Sequence, residues 1–87
     1  MFKKEDFKNG MVVELDTGDR RLFWEGRFID SHGYIPLTYY NDDLKNMDRI
    51  SMDENIDKIF LTHRVAYFGD FFRDDKLTKI WDRYESE

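Results

Sequence analysis

Residues 11–40 alternate between short β-prone runs and turn clusters, and this punctuation constrains the fold more than any other feature of the chain. "MVVEL" carries Val12, Val13 and Leu15, and "DTGD" follows with short polar side chains around Gly18. Glycine takes positive φ without strain, and Asp or Thr side chains bond to nearby backbone, so such a cluster reverses the chain. "RRLFWEGRFID" reads as the returning strand of a hairpin, with Leu22, Trp24 and Phe28 facing one way across a bulge or bend at Gly26. "DSHG" is the next turn and "YIPLTYY" a third strand. Pro36, the only proline, has no N–H for a ladder, which predicts an edge strand or a late start.

The flanks are less regular. "KKEDFKNG" predicts one or two helical turns, with Phe2 and Phe7 packing inward and Gly10 as a left-handed C-terminal cap. "NDDLKNMDRISMDEN" reads as a long polar loop with one helical turn. "LTKIWDRYE" alternates, Leu77, Lys79, Trp81 and Arg83 against Thr78, Ile80 and Asp82, and predicts a closing strand. Residues 53–68 fit two patterns. Ser51 with Glu54 matches a capping box, and Ile56, Ile59, Phe60, His63 and Tyr67 then match a helical face that stops at Gly69. The same Ile, Phe and Thr residues suit a strand. "VAYFGDFF", residues 65–72, sets Tyr67-Phe68 and Phe71-Phe72 on either side of Gly69-Asp70 and fits neither period. It predicts a loop or short helical excursion, with one aromatic of each pair anchored and the other outward.

Only 87 residues are available, which predicts a single small domain over 1–87. With 40% hydrophobic and 38% charged residues the chain is too apolar for disorder and too charged for a membrane span. An aromatic share of 17% compensates for few core positions, because each buried ring removes about 150–250 Å² from water. It also exceeds what so short a chain can bury, which predicts an interface and makes a homodimer its simplest cover. Tyr40 and Phe60 are assigned to the core. No cysteine is present, so disulfides and thiolate metal sites are excluded. No apolar run follows the basic start, and the expectation is a cytoplasmic protein. A net charge of −5 argues against direct nucleic-acid binding and permits a basic partner.

Catalytic chemistry finds little support. Asp16-Thr17-Gly18 is the triplet of retroviral-type aspartic proteases, where two such carboxylates share a proton. The flap and supporting apolar-Gly loop of those enzymes are missing, and the triplet is ordinary turn chemistry. His32 and His63 are the only histidines and have no ligand partners at metal spacing. The glycines stand singly, so no phosphate loop exists. Arg20, Arg21 and Arg27 form either a small phosphate-binding cluster or exposed strand residues paired with Asp19 and Glu25. The expectation is a protein without enzyme activity, metal or cofactor.

Three segments carry a resemblance: "FKKEDFKNGMVVELDTGDRRLF", "YYNDDLKNM…IDKIF" and "LTKIWDR". Together they resemble a group of small phage and prophage accessory proteins of Gram-positive bacteria. Two departures stand out: Ile precedes Asp57 in "NIDKIF" rather than following it, and "HRVAYFGDFF" has no counterpart. The resemblance implies a strand at "NIDKIFLT". The implied architecture is mainly β, a short N-terminal helical turn and about five antiparallel strands in an SH3-like small barrel or strongly bent sheet. It also implies a phage gene product acting in the infected bacterial cell.

Acids and aromatics adjoin one another twice. Tyr39 precedes Asp42 and Asp43, with Asp48, Asp53 and Glu54 in the same loop, and Tyr67, Phe68, Phe71 and Phe72 surround Asp70. Such a surface can imitate spaced phosphates and stacked bases and so occupy a basic nucleic-acid groove on a host protein. The leading expectation is therefore a phage inhibitor of a host immune factor, such as a CRISPR nuclease. Two others stand beside it. One is a sponge for a small nucleotide signal, held by Arg20, Arg21, Arg27 or Arg64 with aromatics stacking the base. The other is a structural or regulatory phage module with no defence role.

Overall fold

A computed structural model describes residues 2–47 and 54–85. The capping box predicted at Ser51 and the acids Asp48 and Asp53 lie outside the described residues. Strand β1 (Val12–Leu15) runs into the "DTGD" turn and returns as β2 (Arg20–Trp24). Gly18, at φ 91°, closes the turn with its N–H on the Leu15 carbonyl, while Leu15 N–H donates to Asp19. Glu25 and Gly26 then both adopt left-handed φ, 49° and 78°, which makes a two-residue turn whose twist matches that of paired strands. Gly26 therefore ends a strand, where the sequence reading bent one.

β3 (Arg27–Asp30) pairs back on β2 and sets Phe28 opposite Phe23. Because adjacent residues alternate faces, Leu22 and Phe28 point to opposite sides of the sheet. Trp24, read as facing the same way as Phe28, is 47% exposed. "DSHG" turns the chain as expected, and β4 (Gly33–Pro36) is an edge strand that ends at the proline. A 3-10 turn at Leu37–Tyr39 replaces the rest of the predicted third strand.

The ambiguous segment is a strand. β5 (Ile56–Thr62) pairs with β1, so the helical face through His63 and Tyr67 does not form. β6 (Leu77–Asp82) closes the order β4-β3-β2-β1-β5-β6. This six-stranded antiparallel sheet is open, with β4 and β6 as its edges; of the two architectures expected, the bent sheet is the one observed, and the extra strand comes from the Gly26 turn. Register shifts at Glu14/Leu15 and Ile59/Phe60 supply local bends. The second shift moves Ile80 out of the ladder, so Leu77 and Trp81 pack on opposite faces, where simple alternation predicted one. Both edges are guarded against further pairing. β4 is short and ends in Pro36, while β6 is kinked and carries Lys79 bound to Asp82 and Glu85.

One face of the sheet holds the larger core, Val13, Phe23, Phe28 and Ile59 under Phe7, Tyr40 and Leu44. The short N-terminal 3-10 turn, Lys4–Asp6, delivers Phe7 there, stacked on Phe23 at 5.1 Å and edge-on to Phe28 at 5.2 Å. Phe2 packs against Phe7, as expected. Gly10 takes the predicted positive φ but belongs to a separate turn, closed by Met11 N–H on the Lys8 carbonyl. The other face buries Val12, Leu22 and Phe60 beneath Phe71, Phe72 and Leu77. Tyr40 and Phe60 are buried, as assigned. No helix among the described residues is long and apolar enough to cross a membrane.

Candidate functional site

The connection from β5 to β6 crosses the second face and carries "VAYFGDFF". It contains two 3-10 turns, Phe68–Phe72 and Asp74–Lys76. Phe71 and Phe72 drop onto Val12, Leu22 and Phe60, which anchors the crossover by apolar contact. Tyr67 and Phe68 point outward, 79% and 46% exposed. The aromatics thus divide by pair, not within each pair as the sequence reading had it. A five-residue 3-10 segment turns the first pair away as it lowers the second.

Asp70, expected to meet a partner, serves this turn internally. Its Oδ2 accepts the N–H of Ala66 at 3.0 Å and of Tyr67 at 3.3 Å. The Ala66 bond is the largest cause holding the Asp70 carboxyl below its ordinary value, and the Tyr67 bond adds to it. Arg20 pins the other end. It donates from Nε to Glu14 Oε1 at 3.1 Å, pairs through Nη1 with Asp74, and lies over the Phe60 ring at 5.2 Å.

Between the crossover and the sheet end opens a cleft of about 480 Å³. Phe68 and Phe72, edge to face at 5.2 Å, form one wall. Asp19 and Arg20 form another, and Asp30 to His32 a third. The turns carrying Asp19 and His32 meet because, in a run of hairpins, the first and third turns return to the same end of the sheet. Asp30 Oδ1 accepts the N–H groups of His32 and Gly33, and Oδ2 faces Arg21 at 3.3 Å. Asp19 is exposed and receives only a long 3.4 Å hydroxyl contact from Thr17. The sequence offers Asp19 as a turn residue and ion-pair partner of the neighbouring arginines, and His32 as a turn histidine without metal partners, but does not bring the two together. The usable signal was the meander topology.

Tyr39, Asp42 and Asp43 lie elsewhere. Their loop is fastened by Tyr40 and Leu44 to the first face, so it does not join the crossover aromatics in one surface. The loop is well built. Asn41 Oδ1 accepts the N–H groups of Asp43 and Lys45, and Leu44 is buried with φ at 60°. Arg83 Nη2 donates to the carbonyls of Asp43 and Leu44 at 2.9 and 3.2 Å. Tyr39, Asp42 and Asp43 remain exposed on this frame.

The four arginines offered as phosphate ligands do not converge. Arg20 and Arg21 are successive strand residues and face opposite sides. Arg21 pairs with Asp30 and Glu54, not with the sequence neighbours expected. Arg27 stacks over Tyr34 at 5.1 Å. Arg64 sits past the end of β5 at φ 55°, its carbonyl taken by Lys76. Asp16, first of the protease-like triplet, accepts a hydrogen bond from Asn55 at 3.2 Å in a plain hairpin turn. Both histidines are exposed, and no cluster of potential metal ligands occurs among the described residues. No family model, curated protein or solved structure matches this chain.

Proposed function

We propose that this chain is a non-enzymatic binding protein that docks on a basic partner through its crossover face. One observation carries the reading. The crossover is fixed from below by Phe71, Phe72 and Arg20, while Tyr67 and Phe68 are left outward, outside the buried cluster. Exposed rings on a braced segment, beside the exposed acids Asp19, Asp74 and Asp75, match the makeup of a recognition surface. The phage setting implied by the sequence resemblance makes a host immune factor with a nucleic-acid groove, such as a CRISPR nuclease, the partner of choice. The Asp42-Asp43 loop on the far face is then a separate acidic contact.

The test is capture of host proteins on the immobilised chain, in parallel with a Tyr67→Ser/Phe68→Ser variant of unchanged denaturation midpoint. The expected result is a basic protein retained by the native chain, released by duplex DNA or by salt, and lost with the variant. Retention that ignores DNA, salt and both substitutions would overturn the proposal.

A further inference from the structure

The cleft between the crossover and the two hairpin turns has the size of a small-ligand site, and its chemistry selects the sign of what enters. Among the described residues Arg20 is the one lysine or arginine lining it, and its Nε and Nη1 are committed. Glu14, Asp74 and the Phe72 carbonyl take its Nε and Nη1 donors, and its flat side rests on Phe60. An anion would meet Glu14 and Asp74, which already neutralise that charge. A cation meets no such obstacle. Asp19 stands at the rim with only the weak Thr17 contact, and the Asp74 side chain is 86% exposed beyond Arg20. Phe68 adds a half-exposed ring, held edge to face against Phe72. A carboxylate and a half-exposed ring lining one cleft form a pairing that holds a planar cation, the ring by its quadrupole and the acid by charge and hydrogen bonds.

We propose that this cleft seats an arginine side chain presented by the partner, stacked on Phe68 and bonded to Asp19. The inference rests on the basic-partner reading above and deepens it by naming the anchor. Arginine suits the site better than lysine, because a flat guanidinium can stack and bond at its edges together, while an ammonium is a point charge with a strong hydration shell.

The probe is the blocked tripeptide Gly-Arg-Gly, titrated into the isotope-labelled full chain and followed by amide chemical shifts. Its Gly-Lys-Gly and Gly-Glu-Gly counterparts and inorganic phosphate serve as comparisons. The expected result is saturable movement at Gly18, Asp19, Ser31, His32 and Phe68 with the arginine peptide, weaker with lysine and absent with glutamate or phosphate. Asp19→Asn should weaken binding roughly three-fold, by loss of a solvent-exposed charge pair. Phe68→Leu, which keeps the apolar contact but removes the ring face, should weaken it by a similar factor, roughly three-fold. Movement with phosphate or glutamate and none with arginine would overturn the proposal, as would arginine binding unaffected by either variant, or no saturable movement at all. The two readings fail separately. A cleft that ignores the peptide while a basic protein is still captured sinks only the anchor. A cleft that binds the peptide in a chain that captures no basic protein sinks only the partner.

Discussion

Arg20 donates from Nη1 to the carbonyl oxygen of Phe72 at 3.2 Å, across 52 positions of sequence, and so joins the second strand to the crossover that bears the candidate surface. The same guanidinium holds Glu14 and Asp74 and covers Phe60. Its removal acts on the surface from beneath. Arg20→Met keeps the stem's packing and deletes the bonds, while Glu14 retains Lys58 at 3.3 Å. The expected cost is about 1–3 kcal/mol, mostly from the charged bonds to Glu14 and the Phe72 carbonyl, because the exposed Asp74 partner contributes little. Urea unfolding measures the total. Amide exchange should rise first at 66–76; a rise spread evenly over all six strands would show that Arg20 does not act on the crossover in particular.

The two aromatic pairs should behave as different materials. Phe72→Ala removes a half-buried ring from the Val12, Leu22 and Phe60 cluster and should cost about 2 kcal/mol. Tyr67→Ala removes a ring that is 79% exposed and should change stability by no more than about 0.5 kcal/mol. Paired denaturation curves decide it, and equal shifts in both variants would contradict the division by pair.

Much of this architecture was legible because turn chemistry is local. "DTGD" and "DSHG" reverse the chain where their residues say, and Pro36 ends an edge strand. Gly26 was misread because a glycine between two β-prone runs fits a bulge and a hairpin turn equally. The choice depends on Glu25 accepting φ of 49°, which its residue type does not announce. Residues 56–62 were undecidable by period because the strand is central and apolar on both faces, Ile59 toward one core and Phe60 toward the other. The cleft was harder still. Asp19, His32 and Phe68 belong to three separate loops, and only the strand order brings them together.

Acid should loosen the crossover. Asp70's carboxyl lies below its ordinary value of 3.8, chiefly through the Ala66 N–H, then through that of Tyr67. A depressed carboxyl contributes stability that is present above the unfolded value and disappears as pH falls through the folded one. The window is therefore below 3.8. Asp70→Asn should lower stability at neutral pH and remove this part of the acid dependence. Stability curves for the two proteins should converge as pH drops; a constant gap down to the acid limit would count against the cap.

Tyr40 predicts a change at the opposite end of the pH range. Its ring is fully buried, edge-on to Phe28 at 5.2 Å, and its hydroxyl donates to the Glu54 carbonyl at 2.7 Å. Burial is the largest cause pushing this phenol up to about 12 from 10.0, since the phenolate would be cut off from water, and a side-chain hydrogen bond with Asn46 offsets only part of that. A raised value favours the protonated fold, so this stability is complete below pH 10 and is lost as pH rises toward 12. Two pH units correspond to about 2–3 kcal/mol. The Tyr40 phenol should titrate late in ultraviolet absorbance, and Tyr40→Phe should remove that step. The variant gives up the Glu54 bond and should lose about 1–2 kcal/mol at neutral pH, leaving a carbonyl without its hydroxyl donor. In exchange its stability should fall less between pH 10 and 12. A variant that declines as steeply as the native chain over that interval would mean that the alkaline loss comes from another group.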